Sequence, residues 1–203
     1  MKTVFNFNRL SPVVAAVLVA AALLAVPSAA RAQSTYWSTR ELLADFFKSS
    51  EKVGFRKVEI ATADKTRIER RLGAPLLRTS YTVFVAESRG RVDGYAIFDE
   101  EQGQHLPISF AVKISPEGTV ERQEITAYRE ARGDEVRDAR FRAQFVGKTA
   151  RDALRTGDDV VAVSGATISS RAMSLGVKRA LVIMEELVLR PQRASSPTTT
   201  AAR

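Results

Sequence analysis

The chain has no cysteine, which excludes disulfides, cysteine-ligated iron–sulfur clusters, c-type haem attachment and a thiol nucleophile. Any electron chemistry therefore falls to a bound organic cofactor. Histidine occurs once, as His105 between Glu100 and Pro107, and the sequence offers it no partners for a metal site. It reads as a surface-loop residue that could also assist a proton transfer, a role histidine side chains commonly take. Dense basic blocks are missing too. Basic and acidic residues interleave, so a formal charge of +8 does not make nucleic acid an expected ligand. No internal repeat is visible, and no catalytic constellation stands out.

Long apolar runs are also scarce. The longest, Val13 to Val26, falls short of the roughly 20 residues of a spanning helix. Lys2 and Arg9 precede it, and Pro27 and Ala30-Arg31-Ala32 follow, which is the layout of a secretory signal peptide over residues 1–32. Cleavage after Ala32 would start the mature chain at Gln33 in the periplasm. The alternative is an uncleaved anchor with the domain facing the periplasm. The absence of a twin-arginine pair favours export of the unfolded chain. Losing Lys2, Arg9 and Arg31 lowers the formal charge from +8 to +5, a balance suited to a solvated surface or an acidic partner.

What remains suffices for one small domain: 203 residues, 45% hydrophobic. Thr39 is expected to cap a segment with Leu42, Leu43, Phe46 and Phe47 at helical spacing, which Gly54 is expected to end. An extended piece from Lys57 to Ile60 leads to a second helix, about Asp64 to Leu72, stopped by Gly73 and Pro75. These elements make residues 39–73 an N-terminal helical segment. From Ser80 the period becomes that of strands: Tyr81 to Val85, Arg91 to Phe98, Ile108 to Ile114 and Thr119 to Ala127, with turns at Gly90 and Gly118. The expected class is α+β, an antiparallel meander flanked by helices in a single domain over residues 33–189. Residues 190–203, rich in Ser, Thr and Pro, lack apolar patterning and read as a disordered tail.

The last helix is the most informative. Met173, Val177, Ala180, Met184 and Leu187 recur at spacings of four and three and form one apolar stripe, while Thr167, Arg171, Ser174, Lys178 and Glu185 fall opposite. Just ahead stand Ser164, Gly165, Ala166 and Thr167. Ser and Thr suit a helix start, Gly165 permits a sharp turn or close approach to a ligand, and Ala166 adds little bulk. An ordinary N-cap and a phosphate-holding helix end both fit, with Arg171 one turn on in reach of a phosphate.

Ser164-Gly165-Ala166-Thr167, with Ser169-Ser170 behind, resembles the flavinylation motif of the FMN-binding domain family, which includes the flavinylated subunits of the Rnf complex and of the sodium-pumping quinone reductase. Further blocks fit: Gly94-Tyr95-Ala96, Pro107 to Ile114, Gly118 to Val120, Gln144-Phe145 and Gly147-Lys148. Glu130 and Gly133 match the family's Glu-Thr-Pro-Gly block, with Ala131 and Arg132 in place of Thr-Pro and Tyr128 where a histidine is frequent. Val161 stands where the family usually has an aspartate.

The resemblance implies FMN held covalently through a phosphoester on Thr167, attached by a separate flavin transferase. It implies a cofactor site of Ser164, Gly165, Ala166, Thr167 and Arg171, with the loop of Glu130 and Gly133 near the flavin ring. On the residues alone that loop could equally be a salt-bridged surface turn. Phe141 and Phe145 could be core or a wall for the ring. The implied role is an exported electron carrier serving membrane-bound or periplasmic redox partners. The alternatives are a flavin-dependent reductase and a non-redox periplasmic binding module that has lost the flavin.

Overall fold

The computed structural model describes residues 34–195; the expected signal peptide and the last eight residues of the expected tail lie outside them. The elements are β1 (Ser34–Thr35), α1 (Thr39–Phe46), β2 (Lys52–Glu59), α2 (Thr62–Leu72), β3 (Ser80–Ser88), β4 (Arg91–Gln102), β5 (Pro107–Ile114), β6 (Val120–Tyr128), a 3-10 turn (Asp134–Arg137), α3 (Ala139–Ala143), α4 (Thr167–Met184), a π turn (Glu185–Leu189) and α5 (Arg190–Ser195). The strands form one six-stranded sheet in the order β1-β6-β5-β4-β3-β2, every pair antiparallel. The α+β meander expected from the strand periodicity is therefore the fold. No helix among the described residues is long and apolar enough to cross a membrane.

The first helix ends earlier than Gly54 suggests. The cap is Ser38 rather than Thr39, because Ser38 forms a capping box with Glu41 and Thr39 is already the first helical residue, and the helix stops at Phe46. Gly54 sits inside β2, paired with Val85. The extended piece thus begins at Lys52 rather than Lys57, because pairing with β3 overrides weak local propensity. Gly73 does end α2, in the left-handed conformation at φ +69.

Helix α4 lies on one face of the sheet. Strand alternation sends Ile108, Phe110, Val112 and Ile114 of β5 to that face, where all four are fully buried with Met173, Val177 and Ala180. The helix comes close because residue 176 is glycine: a Cβ there would sit 2.5 Å from the Phe110 ring. On the other face, Ala86, Ala96 and Ala111 leave room for Phe46 and Phe47 of α1.

The apolar stripe of α4 departs from its sequence pattern at its end. Met173, Val177, Ala180 and Met184 are buried, whereas Leu187 is only half-buried, and Val188 and Leu189 take its place. The π turn accounts for the change, since its wider spiral advances the buried face by a residue. It also carries Glu186 inward. The Glu186 carboxylate, with no exposed area, accepts from Arg67 Nε at 2.5 Å, Arg71 Nη1 at 2.6 Å and Arg190 Nη1 at 2.7 Å.

The first six residues of the expected tail are helical. Residues 190–195 continue as α5, held by Tyr95 Oη donating to Gln192 Oε1 (3.0 Å) and by Arg193 donating to the Glu117 carbonyl (3.0 Å). Polar contacts of this kind leave no trace in an apolar pattern.

Candidate cofactor site

Helix α4 begins at Thr167, one residue ahead of the Ile168 start that the stripe suggests, and its first turn is made by the candidate motif. Gly165, at φ +80, lets the chain reverse so that the Ala166 N–H donates to the Val163 carbonyl (3.0 Å). Ser170 locks this reversal from inside the helix: its Oγ accepts from Val163 N (3.1 Å) and donates to the Ala166 carbonyl (2.9 Å). The N-cap is Ala166, without a side-chain cap. Neither Ser164 nor Thr167 caps the helix, contrary to the cap reading of their residue types, because the turn points both side chains outward and exposed.

The consequence is an unsatisfied helix end. The amides of Thr167, Ile168 and Ser169 meet no acceptor among the described residues, at the positive end of an 18-residue helix. Beside them the exposed Thr167 side chain and, one turn on, the exposed Arg171 share a helix face. This group of three free amides, a hydroxyl and a guanidinium suits a phosphate or phosphoester.

The polar side of α4 is not open along its length. Ser174 is buried at 2% exposure, its hydroxyl 3.2 Å from Thr156 Oγ1. Lys178 Nζ donates to the carbonyls of Ala150 (2.9 Å) and Asp152. Burial lowers the Lys178 pKa, helped by the charge of Arg71. Residues 149–160 therefore form a strap over the helix. Asp159 pins it, accepting from Lys148 Nζ (3.0 Å), Leu154 N (3.1 Å) and Arg155 N (2.8 Å). Desolvation pushes the Asp159 carboxyl up, but the Arg155 amide, the Lys148 ammonium and the Leu154 amide outweigh it and bring the pKa down to about 2. Thus Asp159 is committed to the strap, and Val161 fills the position where the family motif has aspartate. That valine is 73% exposed and held by both backbone groups to the Gln144 side chain (2.8 and 3.1 Å).

Gly133 joins the site and Glu130 does not reach it directly. Tyr128 Oη donates to the Arg132 carbonyl (2.6 Å) and meets Ser169 Oγ at 2.8 Å, in the first turn of α4. Burial raises the Tyr128 pKa, against the Ser169 hydrogen bond that lowers it, so the phenol stays protonated near neutral pH. Gly133, at φ +96, fits between them: a Cβ there would lie 2.5 Å from Tyr128 Oη and 2.6 Å from Ser169 Oγ. The Glu130 carboxylate turns away, accepting from His105 N (2.9 Å) and Leu106 N (3.2 Å). It staples the β4–β5 connection, whose His105 side chain is exposed.

Phe141 and Phe145 are buried and stack edge to face at 5.3 Å, so both are core and neither walls an open site. Spacing alone could not reveal the Tyr128–Ser169 bond, which spans 41 residues. Ser170 was in view as part of the motif's trailing pair, but its closing of the turn depends on Gly165 reversing the chain.

Residues 103–182 match the family model of the FMN-binding domain, a span that contains every candidate site residue. No curated protein matches the sequence. Among solved structures the chain is similar to Shewanella oneidensis NqrC, with 17% identity and a TM-score of 0.55, over 78% of this chain and 91% of that one. The domain match bears out the resemblance read from the motif, and the likeness to NqrC bears out the fold.

Proposed function

We propose that this chain, matched over residues 103–182 to the FMN-binding domain, is an exported flavoprotein that carries electrons between other redox proteins, with FMN esterified through its phosphate to Thr167 Oγ1. The observation that carries this reading is the uncapped start of α4, where three free amides converge beside an exposed threonine hydroxyl. An ordinary cap would have used that hydroxyl internally. FMN would supply the one- and two-electron chemistry that a chain without cysteine and with a single histidine lacks.

The chain's own residues would then bind and position. The amides of Thr167, Ile168 and Ser169 and the Arg171 guanidinium would hold phosphate charge. Gly165 and Ser170 keep the hydroxyl outside, where a flavin transferase can reach it. Tyr128 and Gly133 fix the neighbouring loop against the helix, and Glu130 holds the next connection behind it. A covalent tether would prevent loss of the cofactor outside the cell, where the signal-peptide layout of residues 1–32 would send the protein.

Val161, exposed where the family usually has aspartate, favours one other reading, a non-redox module that is never loaded. Intact-mass measurement of the full chain co-expressed with a flavin transferase separates the two. The expected result is a mass increase of one FMN on the wild type and none on Thr167→Val. An unchanged wild-type mass in the presence of active transferase would leave the non-redox module as the better reading.

A further inference from the structure

The strap over α4 consumes its own charges. Asp152 accepts from Thr149 N (2.8 Å) and Thr149 Oγ1 (2.9 Å), Asp159 is shared among Lys148 and two amides, and Lys178 is spent on two carbonyls. Leu154 is held in the left-handed region at φ +49, a conformation that a β-carbon makes unfavourable and that persists because Asp159 grips the chain on either side of it. The rigid strap thus presents Arg151 and Arg155 outward.

Both line a cleft of about 490 Å³ whose opposite wall is α4, with Arg171, Leu175 and Lys178, and whose end is Arg71 and Leu72 of α2. Arg151, Arg155 and Arg171 are exposed, and none has a side-chain hydrogen bond or carboxylate partner among the described residues. Elsewhere Arg67, Arg71, Arg122, Arg142 and Arg179 each hold a carboxylate. A cleft of about 530 Å³ beside α1 balances Lys48, Arg89, Arg91 and Lys113 with Glu51, Asp93 and Glu121. The cleft along α4 has one carboxylate, Asp152, already committed.

Three free guanidiniums on one cleft repel one another and create a local positive potential. Because they stand at the exposed rim, a small anion would stay hydrated there and be screened by salt. A surface bearing several carboxylates engages Arg151 and Arg155 together, with Arg171 joining them where no phosphate occupies it, and excludes water over Leu72 and Leu175.

We propose that the cleft walled by Arg151, Arg155 and Arg171 docks a carboxylate-rich surface of a partner protein. The partner's role as an electron donor or acceptor rests on the carrier reading above, since Arg171 lies one turn from Thr167. The charge complementarity stands without it. Such an interface would be small and wet, with orientation and association rate set by charge.

The test uses the full chain and a fluorescein-labelled peptide of alternating glutamate and alanine, followed by fluorescence anisotropy. Binding is expected at low ionic strength and should weaken steeply with added salt. Arg151→Gln with Arg155→Gln should weaken it about tenfold. Arg89→Gln with Arg91→Gln removes the same charge from the other cleft and should change it less than about twofold. Circular dichroism melting confirms that both pairs are folded. Equal weakening by both pairs would reduce the effect to net charge and overturn the proposal. So would displacement of the peptide by inorganic phosphate or AMP at comparable concentration, which would mark a small-anion pocket. The measurement repeated on Thr167→Val, with its mass checked for FMN, keeps the two readings apart: peptide binding that persists there upholds the docking surface whatever becomes of the covalent flavin.

Discussion

At its C-terminal end α4 runs into buried ions, with Glu186 fully enclosed and gripped by Arg67, Arg71 and Arg190. At its N-terminal end the same helix stops on an alanine cap with open amides and an exposed threonine. One end has its buried carboxylate satisfied by three arginines of the protein, and the other leaves donors for something else to satisfy. Free amides and uncompensated arginines cost stability where they stand, and a protein tolerates them where a ligand or partner completes them. The contrast separates what holds the fold from what the fold is for.

The largest expected effect lies at the closed end. Glu186→Ala would remove the buried carboxylate that Arg67 and Arg71 share, leaving each only its outer partner, Asp64 or Glu185. Removing one member of a buried ion pair costs about 3–5 kcal/mol, and the partial exposure of both arginines puts this case near 3. Urea unfolding should show that loss in its midpoint, with the FMN adduct proposed at Thr167 unaffected wherever the chain is folded. Should Glu186→Ala be as stable as wild type, the closed end would not be the anchor described here.

Acid should loosen the strap next. The folded pKa of Asp159, about 2, lies below its ordinary 3.8, so its contribution is fully present above about pH 4 and is lost as pH falls toward 2. The size is on the order of 2 kcal/mol. Glu186 acts in the same direction. Burial raises its pKa, but the hydrogen bonds from Arg67 and Arg71 and the charges of Arg190 and Arg67 lower it overall. In Asp159→Asn the acid-dependent loss of stability should shrink by about that amount. An unchanged pH profile would show that Asp159 is not protonated over this range.

A smaller effect belongs to the link between the two loops of the site. Tyr128→Phe removes a phenol that joins Arg132 to Ser169, a loss of about 1 kcal/mol for buried hydrogen bonds. Hydrogen exchange should quicken at residues 130–134 and at the first turn of α4 while the sheet stays protected. Uniformly faster exchange would mean that the bond serves the whole fold rather than the site.

The contrast between the two ends also explains what could be read from the sequence. The strands and the stripe of Met173, Val177, Ala180 and Met184 were legible because burial imposes a period that survives in the chain. The motif at Ser164 to Thr167 was legible as a short word. The clamp on Glu186 was not, since a π turn displaces the face by a residue and no local signal announces it. Nor was the strap, whose polar bonds among residues 148, 154, 155, 159 and 178 have no period. Glu130 shows the limit from the other side: it was matched to a family block by sequence, and its carboxylate is bound to the amides of His105 and Leu106.

The smallest effect on stability should come from the residue with the largest expected effect on function. Thr167 is exposed and its hydroxyl makes no hydrogen bond among the described residues. Replacing it by valine removes no cap, because Ala166 holds that position and Ser170 closes the turn without it. Surface changes away from such features usually stay within about 0.5 kcal/mol. Thermal unfolding of flavin-free Thr167→Val should therefore match flavin-free wild type, and Thr167→Ser should match both while keeping some FMN adduct through its hydroxyl. A clear loss of stability in Thr167→Val would mean that the hydroxyl serves the helix after all. The open end of α4 would then be as closed as the other, and the exposed threonine would no longer mark the place where a cofactor completes the protein.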